Sequence, residues 1–194
     1  FAPEPEEIYP EPDTRQFNFG QLEQVMEGKF RPGHFNGVAQ VVSRLFDIVQ
    51  PDKAFFGLKD FQQLAIINEM VKKLELPVEI VACQIVRETD GLAMSSRNML
   101  LSTEQRQNAA LISATLFAAA NKTGEFNVQE LTNWVINHIN GNEFLNTEYF
   151  EIVDSKTLQP IKSWNDPCTK VGCIAVQCGK IRLIDNIEFG TINY

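Results

Sequence analysis

Helical and strand-like spacings of apolar residues alternate through the first half of the chain. Apolar residues recur every three or four positions in two segments, which predicts two amphipathic helices. Each of these helices is followed by a proline and then by a short apolar run that is typical of a buried strand. In chain order the pattern predicts a helix from Gly37 to before Pro51, a strand over 53–56, a helix over 60–75 and a strand over 78–83. This order predicts an α/β fold with a parallel βαβ unit and a right-handed crossover.

The pattern changes after Leu101, where helices precede strands. Two capping-box patterns, Ser102 with Gln105 and Asn127 with Glu130, each predict a helix start. The first of these helices is expected to run to about Ala120. The strands expected after them lie over 148–153, 171–178 and 181–187, with the last two joined as a hairpin at Gly179-Lys180. A boundary is therefore expected near residues 86–91, with a small α+β domain after it.

The amino-terminal segment has a different character from the rest of the chain. Four prolines within residues 1–16 predict an extended surface segment without regular helix. A short helix is expected over residues 20–29, ending near Gly28.

Composition excludes several classes of function. Seventeen basic and 25 acidic residues give a formal net charge of −8, which disfavours binding to a nucleic-acid backbone. No apolar stretch approaches the ~20 residues of a membrane helix. The four cysteines match no common zinc spacing and are expected to be buried or half-buried free thiols. Free thiols are typical of a reducing cytoplasm, and neither a metal site nor a membrane partner is expected.

A first candidate anion site follows the first predicted strand, in the segment Gly57-Leu58-Lys59-Asp60. The glycine lets a ligand approach the backbone, and the helix that begins here offers free N–H groups to an anion. Lys59 adds a mobile positive charge for phosphate, and Asp60 suits a ribose hydroxyl. The alternative is a solvated helix N-terminus that has no ligand.

A second candidate lies about thirty residues later, in Met94-Ser95-Ser96-Arg97. Two hydroxyls and a forked guanidinium suit a polyphosphate and the charge that develops on its leaving group. The alternative is a polar turn capped by its own serines, with Arg97 in a surface ion pair. In a parallel sheet both segments would lie at the carboxyl ends of strands, where ligands gather.

His34 is a third candidate, because it lies in a Gly-Pro turn just before a helix and histidine suits acid–base chemistry. The alternative is a structural hydrogen bond. Arg182, Asp185 and Asn186 in the final hairpin are expected to serve structure.

These segments together resemble the pantoate–β-alanine ligase family. The resemblance rests on RPGHFNGVAQVV, on QPDKAFFGLKDFQQLAIINEMV through LPVEIV, on VRETDGLAMSSRNMLLS and on RLIDNI. It implies the carboxyl-terminal part of a Rossmann-like ATP- and pantoate-binding domain over residues 1–88 and a small α+β lid domain over residues 89–194. It also implies a cytoplasmic homodimer with no nucleic-acid or membrane partner.

The family resemblance implies a reaction and a set of roles. The family condenses (R)-pantoate with β-alanine through a pantoyl adenylate, using Mg²⁺-ATP as substrate and no tightly bound cofactor. The residues implied at ATP are Gly57, Leu58, Lys59, Asp60, Val86, Met94, Ser95, Ser96 and Arg97. Of these, Lys59, Ser95, Ser96 and Arg97 are the implied catalytic residues, and Gln63 is implied to bind pantoate.

The sequence departs from the family pattern in two places. Leu58 stands where the family commonly has Glu. The family's amino-terminal His-x-Gly-His segment is absent from these 194 residues, so the chain is expected to be a carboxyl-terminal portion that is poorly stable alone or that associates. Two other functions remain open: a nucleotidyl transferase that acts on a phosphorylated acceptor, and a non-catalytic dimerisation fragment.

Overall fold

The computed structural model describes residues 3–190, and the chain divides into two compact units. The unit boundaries fall after Phe56, Phe61 and Ala82. The amino-terminal unit therefore contains the chain up to Phe56 together with Gln62–Ala82, and the carboxyl-terminal unit contains Gly57–Phe61 together with the chain from Cys83 onward.

Residues 3–83 contain four helices and two strands, together with two 3₁₀ turns. Their bounds are α1 Pro5–Ile8, a 3₁₀ turn Gly20–Glu23, α2 Met26–Phe30, α3 His34–Val49, β1 Lys53–Gly57, a 3₁₀ turn Leu58–Asp60, α4 Phe61–Lys73 and β2 Glu79–Cys83. Strands β1 and β2 pair in parallel as a two-stranded sheet, which confirms the predicted βαβ order and the α/β class.

The prediction of an extended amino-terminal segment without regular helix is wrong in one respect, because α1 is a one-turn helix. Pro5 occupies its first position, where a proline costs nothing since the N–H there has no helical partner. Glu4 and Glu7 form a reciprocal capping box around this turn. The helix predicted over 20–29 is also interrupted, because Val25 is extended between the 3₁₀ turn and α2.

The core of the amino-terminal unit forms where α3 packs on α4. Phe35 and Ala39 of α3 are buried with Ile66 and Met70 of α4, and Phe19 completes the cluster. The apolar residues predicted as one face of α3 divide between two environments. Those packed on this core are Val38, Val42 and Phe46. Those that remain exposed, by 36–56%, are Val41, Leu45 and Val49.

Residues 84–190 contain a further three helices and an antiparallel sheet of order β3-β4-β5. The bounds are a 3₁₀ turn Ser96–Leu100, α5 Thr103–Ala109, α6 Leu111–Ala120, α7 Val128–Asn140, β3 Leu145–Asp154, β4 Lys170–Cys178 and β5 Ile181–Phe189. The single helix predicted over 102–120 is therefore two consecutive helices that meet at Ala110.

The sheet and the helices α6 and α7 enclose the core of the carboxyl-terminal unit. Large buried side chains at its centre include Leu116, Leu131, Ile139 and Ile174. Both predicted capping boxes form, and each has reciprocal side-chain and backbone hydrogen bonds. The predicted hairpin turn also forms, with Gly179 at φ +60° in the left-handed region that glycine tolerates.

The surroundings of the four cysteines can be compared with the prediction made from their spacing. Cys173 and Cys178 are buried and Cys83 and Cys168 are half-buried, and none of the four forms a disulfide with another described residue, as predicted. Burial raises the pKa of the Cys178 thiol above its ordinary value. No helix within residues 3–190 is long and apolar enough to cross a membrane.

Candidate functional site

The first predicted anion segment forms a 3₁₀ turn between a strand and a helix. Strand β1 ends at Gly57, the turn covers Leu58–Asp60, and α4 begins at Phe61. Lys59 is half-buried in this turn, whereas Asp60 is exposed. The Lys59 Nζ atom donates a hydrogen bond to the Met94 carbonyl over 3.3 Å. The structure therefore brings the ammonium group to the start of the second predicted anion segment.

The second segment is a loop closed by its own backbone. The Met94 N–H donates to the Val86 carbonyl over 2.9 Å, and Arg87 pairs with Ala93 in an antiparallel bridge. Val86 and Met94 both keep exposed side chains, at 63% and 50%. This closure sets Val86 next to the beginning of the serine-rich segment.

The two serines of this loop have different surroundings. The Ser95 hydroxyl accepts a hydrogen bond from the Arg97 N–H over 3.2 Å and caps the 3₁₀ turn Ser96–Leu100. Ser96 is exposed. Asn98 is buried and donates to the Ala93 carbonyl over 3.2 Å, which holds the loop together. The contact of Ser95 therefore supports the alternative in which this serine caps its own turn.

Arg97 is exposed, and its guanidinium donates to the Arg182 carbonyl on β5 over 3.3 Å. This contact holds the guanidinium through one of its terminal nitrogens, and a carbonyl does not neutralise the positive charge. Burial lowers the pKa of the Lys59 ammonium below its ordinary value, and the nearby Arg97 lowers it further. Asp60 and Asp185 oppose this shift. The two positive groups therefore form a small electropositive area on the carboxyl-terminal unit.

A buried ion pair behind this area was not singled out by the sequence pattern as part of a site. Arg87 binds Asp185 through two hydrogen bonds of 2.7 and 3.0 Å, and it also donates to the Gly91 carbonyl over 3.0 Å. Its guanidinium lies over the Phe117 ring, 4.9 Å from the centroid. An acidic residue at position 185, between apolar residues of the predicted strand 181–187, is the signal that could have revealed this contact.

Asn186 makes a second unanticipated contact with the candidate site. Its amide nitrogen donates to the Leu58 carbonyl over 2.8 Å and to the Lys59 carbonyl over 3.0 Å. The 3₁₀ turn that bears Lys59 is therefore fixed through its main chain.

Gln63 and His34 lie in the amino-terminal unit, so the structure does not bring them into the same unit as Lys59. Gln63 is half-buried on α4. Its neighbour Gln62 is buried and donates to the carbonyls of Leu22 and Val25 over 2.7 and 2.9 Å, which gives it a packing role.

His34 is the first residue of α3. Its Nε2 atom lies 3.1 Å from an Arg31 guanidinium nitrogen, and its ring centroid lies 5.1 Å from that of Phe35. These contacts agree with the structural alternative for His34.

Two further observations concern metal-binding groups and cavities. Within residues 3–190, no group of three or more His, Cys, Asp or Glu side chains is arranged to hold a metal ion. A cavity of about 450 Å³ in the carboxyl-terminal unit is lined in part by Leu58, Arg87, Phe117 and Glu188. Asn186 also lines this cavity, whereas Lys59 and the serine loop, residues 94–97, do not.

Comparison with known proteins identifies close relatives of the chain. A family model described as pantoate-beta-alanine ligase matches residues 1–188. A pantothenate synthetase from Bacteroides thetaiotaomicron is 57% identical over 192 residues, which cover 99% of this chain and 68% of that protein.

Solved structures show the same relation. The crystal structure of pantothenate synthetase from Thermus thermophilus matches with a TM-score of 0.89 and 42% identity, over 97% of this chain and 68% of that one. The pantoate-beta-alanine ligase from Francisella tularensis, complexed with beta-gamma ATP and beta-alanine, matches with a TM-score of 0.64 and 29% identity, over 94% of this chain and 61% of that one.

Proposed function

Since the chain belongs to the pantoate-beta-alanine ligase family of enzymes, we propose that it serves the ATP-dependent condensation of (R)-pantoate with β-alanine. A pantoate carboxylate oxygen attacks the α-phosphorus of ATP, and the bond to pyrophosphate breaks with its electron pair on pyrophosphate. The β-alanine amine then attacks the carbonyl of the pantoyl adenylate. A C–N bond forms, the amine loses a proton, and AMP leaves. The Francisella tularensis complex supports ATP and β-alanine as two of the substrates.

This reaction needs positioned positive charge more than covalent help from the protein. The observation that supports the proposal best is the 3.3 Å contact between Lys59 Nζ and the Met94 carbonyl, because it sets an ammonium group beside the loop that bears Arg97. In our proposal Lys59 binds the ATP phosphates, and Arg97 stabilises the leaving pyrophosphate. A positive charge placed where negative charge develops in the transition state lowers the activation barrier of adenylate formation more than it strengthens the binding of ATP.

The other assignments follow from the family and are part of the same proposal. Ser95 and Ser96 contact the leaving pyrophosphate, and Gln63 hydrogen-bonds pantoate. The remaining residues proposed at ATP are Gly57, Leu58, Asp60, Val86 and Met94. Mg²⁺ enters with ATP and is held mainly by its phosphates, as is usual for this ion.

The proposed site is tested by measuring AMP release from ATP with pantoate and β-alanine supplied together and with each omitted in turn. AMP release that needs both substrates supports the ligase. Pyrophosphate release with a phosphorylated acceptor, without release of AMP, supports the nucleotidyl transferase, because the AMP group then stays on the acceptor. Calorimetric titration with ATP then compares Lys59→Ala and Arg97→Ala with wild type. We expect Lys59→Ala to bind ATP about ten- to a hundredfold more weakly, since it loses a charge-assisted hydrogen bond. Arg97→Ala should instead slow adenylate formation by orders of magnitude with a smaller loss of ATP affinity, because its charge acts on the leaving pyrophosphate.

Lys156→Ala is the matched control for these variants. Lys156 is an exposed lysine of the same unit, outside the candidate site, and its removal should leave ATP affinity unchanged. Unaltered ATP binding in Lys59→Ala would contradict the role proposed for Lys59. An equal loss of ATP affinity in Lys59→Ala and Lys156→Ala would show that the effect comes from the net charge of the chain and not from the position of Lys59.

We also propose that the chain associates with a second copy in the cytoplasm. An exposed apolar stripe on α3, formed by Val41, Leu45, Ile48 and Val49, supports association because apolar side chains grouped on one helix face favour burial. Sedimentation velocity should show a dimer at micromolar concentration. A monomer across the accessible concentration range would refute this part of the proposal.

A further inference from the structure

Asn186 connects the last strand to the turn that bears Lys59, although the two are 127 residues apart in sequence. Its side-chain amide has two hydrogens, and each is donated to a different main-chain carbonyl, those of Leu58 and Lys59. The two distances, 2.8 and 3.0 Å, are those of well-formed hydrogen bonds. Asn186 is only 7% exposed, so water competes little for these carbonyls.

The neighbouring residue fixes the strand from which Asn186 reaches out. Successive strand residues point to opposite faces, so Asp185 and Asn186 reach different partners. Asp185 pairs with Arg87 and also accepts a hydrogen bond from the Asn186 N–H over 2.8 Å. Both ends of the connection are therefore held, and the Asn186 amide has little freedom to swing away.

We propose that Asn186 is a positioning residue for Lys59, an inference that rests on the proposed role of Lys59 at the ATP phosphates. By holding the two carbonyls, Asn186 fixes the turn so that the Lys59 ammonium lies against the Met94 carbonyl, beside the serine loop. Asn186 itself touches no phosphate. It acts by reducing the number of orientations that Lys59 must give up when an anion binds.

The same strand also receives the second positive group, since the Arg97 guanidinium donates to the Arg182 carbonyl. Strand β5 thus contacts both proposed phosphate-binding segments, one through a side-chain amide and the other through a main-chain carbonyl. Of these two contacts, the one made by Asn186 can be removed by changing a side chain of β5. It is therefore the contact to test.

The first test is a double-mutant cycle on the affinity for inorganic pyrophosphate, measured by calorimetry. The full 194-residue chain is compared as wild type, Asn186→Ala, Lys59→Ala and the double variant. If Asn186 acts through Lys59, Asn186→Ala weakens pyrophosphate binding about tenfold alone and less than about twofold in the Lys59→Ala background. Equal weakening in both backgrounds would overturn the proposal, because a purely structural role does not depend on Lys59.

A second readout does not need a ligand. Reductive methylation with ¹³C-formaldehyde labels the lysine amines, and the Lys59 signal is assigned by its loss in Lys59→Arg. Burial keeps the pKa of this amine low in wild type, with Asp60, Asp185 and Arg97 as its charged neighbours. Loosening the turn in Asn186→Ala should raise the pKa of Lys59 toward its ordinary value. An unchanged Lys59 titration would overturn the proposal.

Two further variants separate the hydrogen bonds from the volume of the side chain. Asn186→Asp keeps the size but sets oxygens against the two carbonyls, so it should behave like Asn186→Ala in both readouts. Asn146→Ala removes an exposed asparagine of the same sheet and should match wild type. If Asn186→Asp matched wild type while folded, the amide hydrogens would have no role and the proposal would fail.

The two readouts also distinguish the possible failures. If wild type binds neither pyrophosphate nor ATP, the proposed function fails and the titration alone decides the positioning role. If wild type binds pyrophosphate and the cycle shows no coupling to Lys59, the positioning role fails while the proposed function stands.

Discussion

The buried ion pair between Arg87 and Asp185 offers the sharpest test of how the carboxyl-terminal unit is held together. The Asp185 side chain is 1% exposed and that of Arg87 is 20% exposed. Both carboxylate oxygens accept from the guanidinium, over 2.7 and 3.0 Å. Replacing Arg87 by alanine leaves a carboxylate in the interior with its counter-charge removed.

The magnitude follows from this geometry. Breaking a buried pair by removing one partner costs about 3–5 kcal/mol of unfolding free energy. Loss of the guanidinium contact with the Phe117 ring adds about 0.5–1 kcal/mol. For a chain of this size each kcal/mol lowers the melting temperature by about 2–4 °C. We therefore expect Arg87→Ala to lower it by roughly 7–24 °C, from these ranges.

Urea unfolding followed by tryptophan fluorescence measures this effect. Trp134 and Trp164 both lie in the carboxyl-terminal unit and report on its unfolding. The double variant Arg87→Met with Asp185→Leu should be more stable than Arg87→Ala, because it leaves no buried charge.

The control is Arg106→Ala, which breaks the pair with Asp90. Those side chains are 31% and 38% exposed, so the loss should stay below about 1 kcal/mol. The reasoning is refuted if Arg87→Ala is no less stable than Arg106→Ala.

Three further outcomes are expected from the same fold. Gly172→Ala should cost about 1–3 kcal/mol in urea unfolding, since its Cβ would lie 2.8 Å from the Phe189 ring and 2.9 Å from the Phe150 ring; wild-type stability would contradict that packing. Asn127→Ala removes the α7 cap and should cost about 1 kcal/mol by the same assay, with no loss if the cap contributes nothing. Burial lowers the pKa of Lys59, so the charged ammonium destabilises the folded state, and this cost disappears as pH rises from its folded pKa to the unfolded value of about 10.4. The difference in unfolding free energy between Lys59→Met and wild type should therefore shrink over that alkaline range. A difference that does not change with pH would show that burial of the charge is not its cause.

Local signals explain which parts of the fold could be predicted from the sequence. The sequence predicts the hairpin of β4 and β5 because two strand-like runs rich in apolar residues flank Gly179-Lys180, and both strands pair across that turn. The starts of α5 and α7 were predicted because each capping box is confined to four consecutive residues. Such features need no information from distant parts of the chain.

The exposed side of α3 could not be predicted in the same way. Helical spacing groups Val41, Leu45 and Val49 with residues that do pack, but spacing alone does not say how wide the covering surface is. In the amino-terminal unit α4 covers Phe35 and Ala39 and leaves the other stripe exposed. The width of an apolar face is a tertiary property, so a one-dimensional pattern overstates what is buried.

The contacts of Asn186 show why part of the candidate site was also beyond local reasoning. Their partners lie 127 and 128 residues away, and they are main-chain carbonyls rather than side chains. No residue type at position 58 or 59 could therefore have signalled them. The same contact bears on Leu58, the departure from the family pattern that the resemblance implies, because Asn186 binds the carbonyl of residue 58 and that group is the same whatever the side chain. The turn can thus keep Lys59 in place after this substitution, so the departure at Leu58 does not by itself argue against an anion-binding role for the segment.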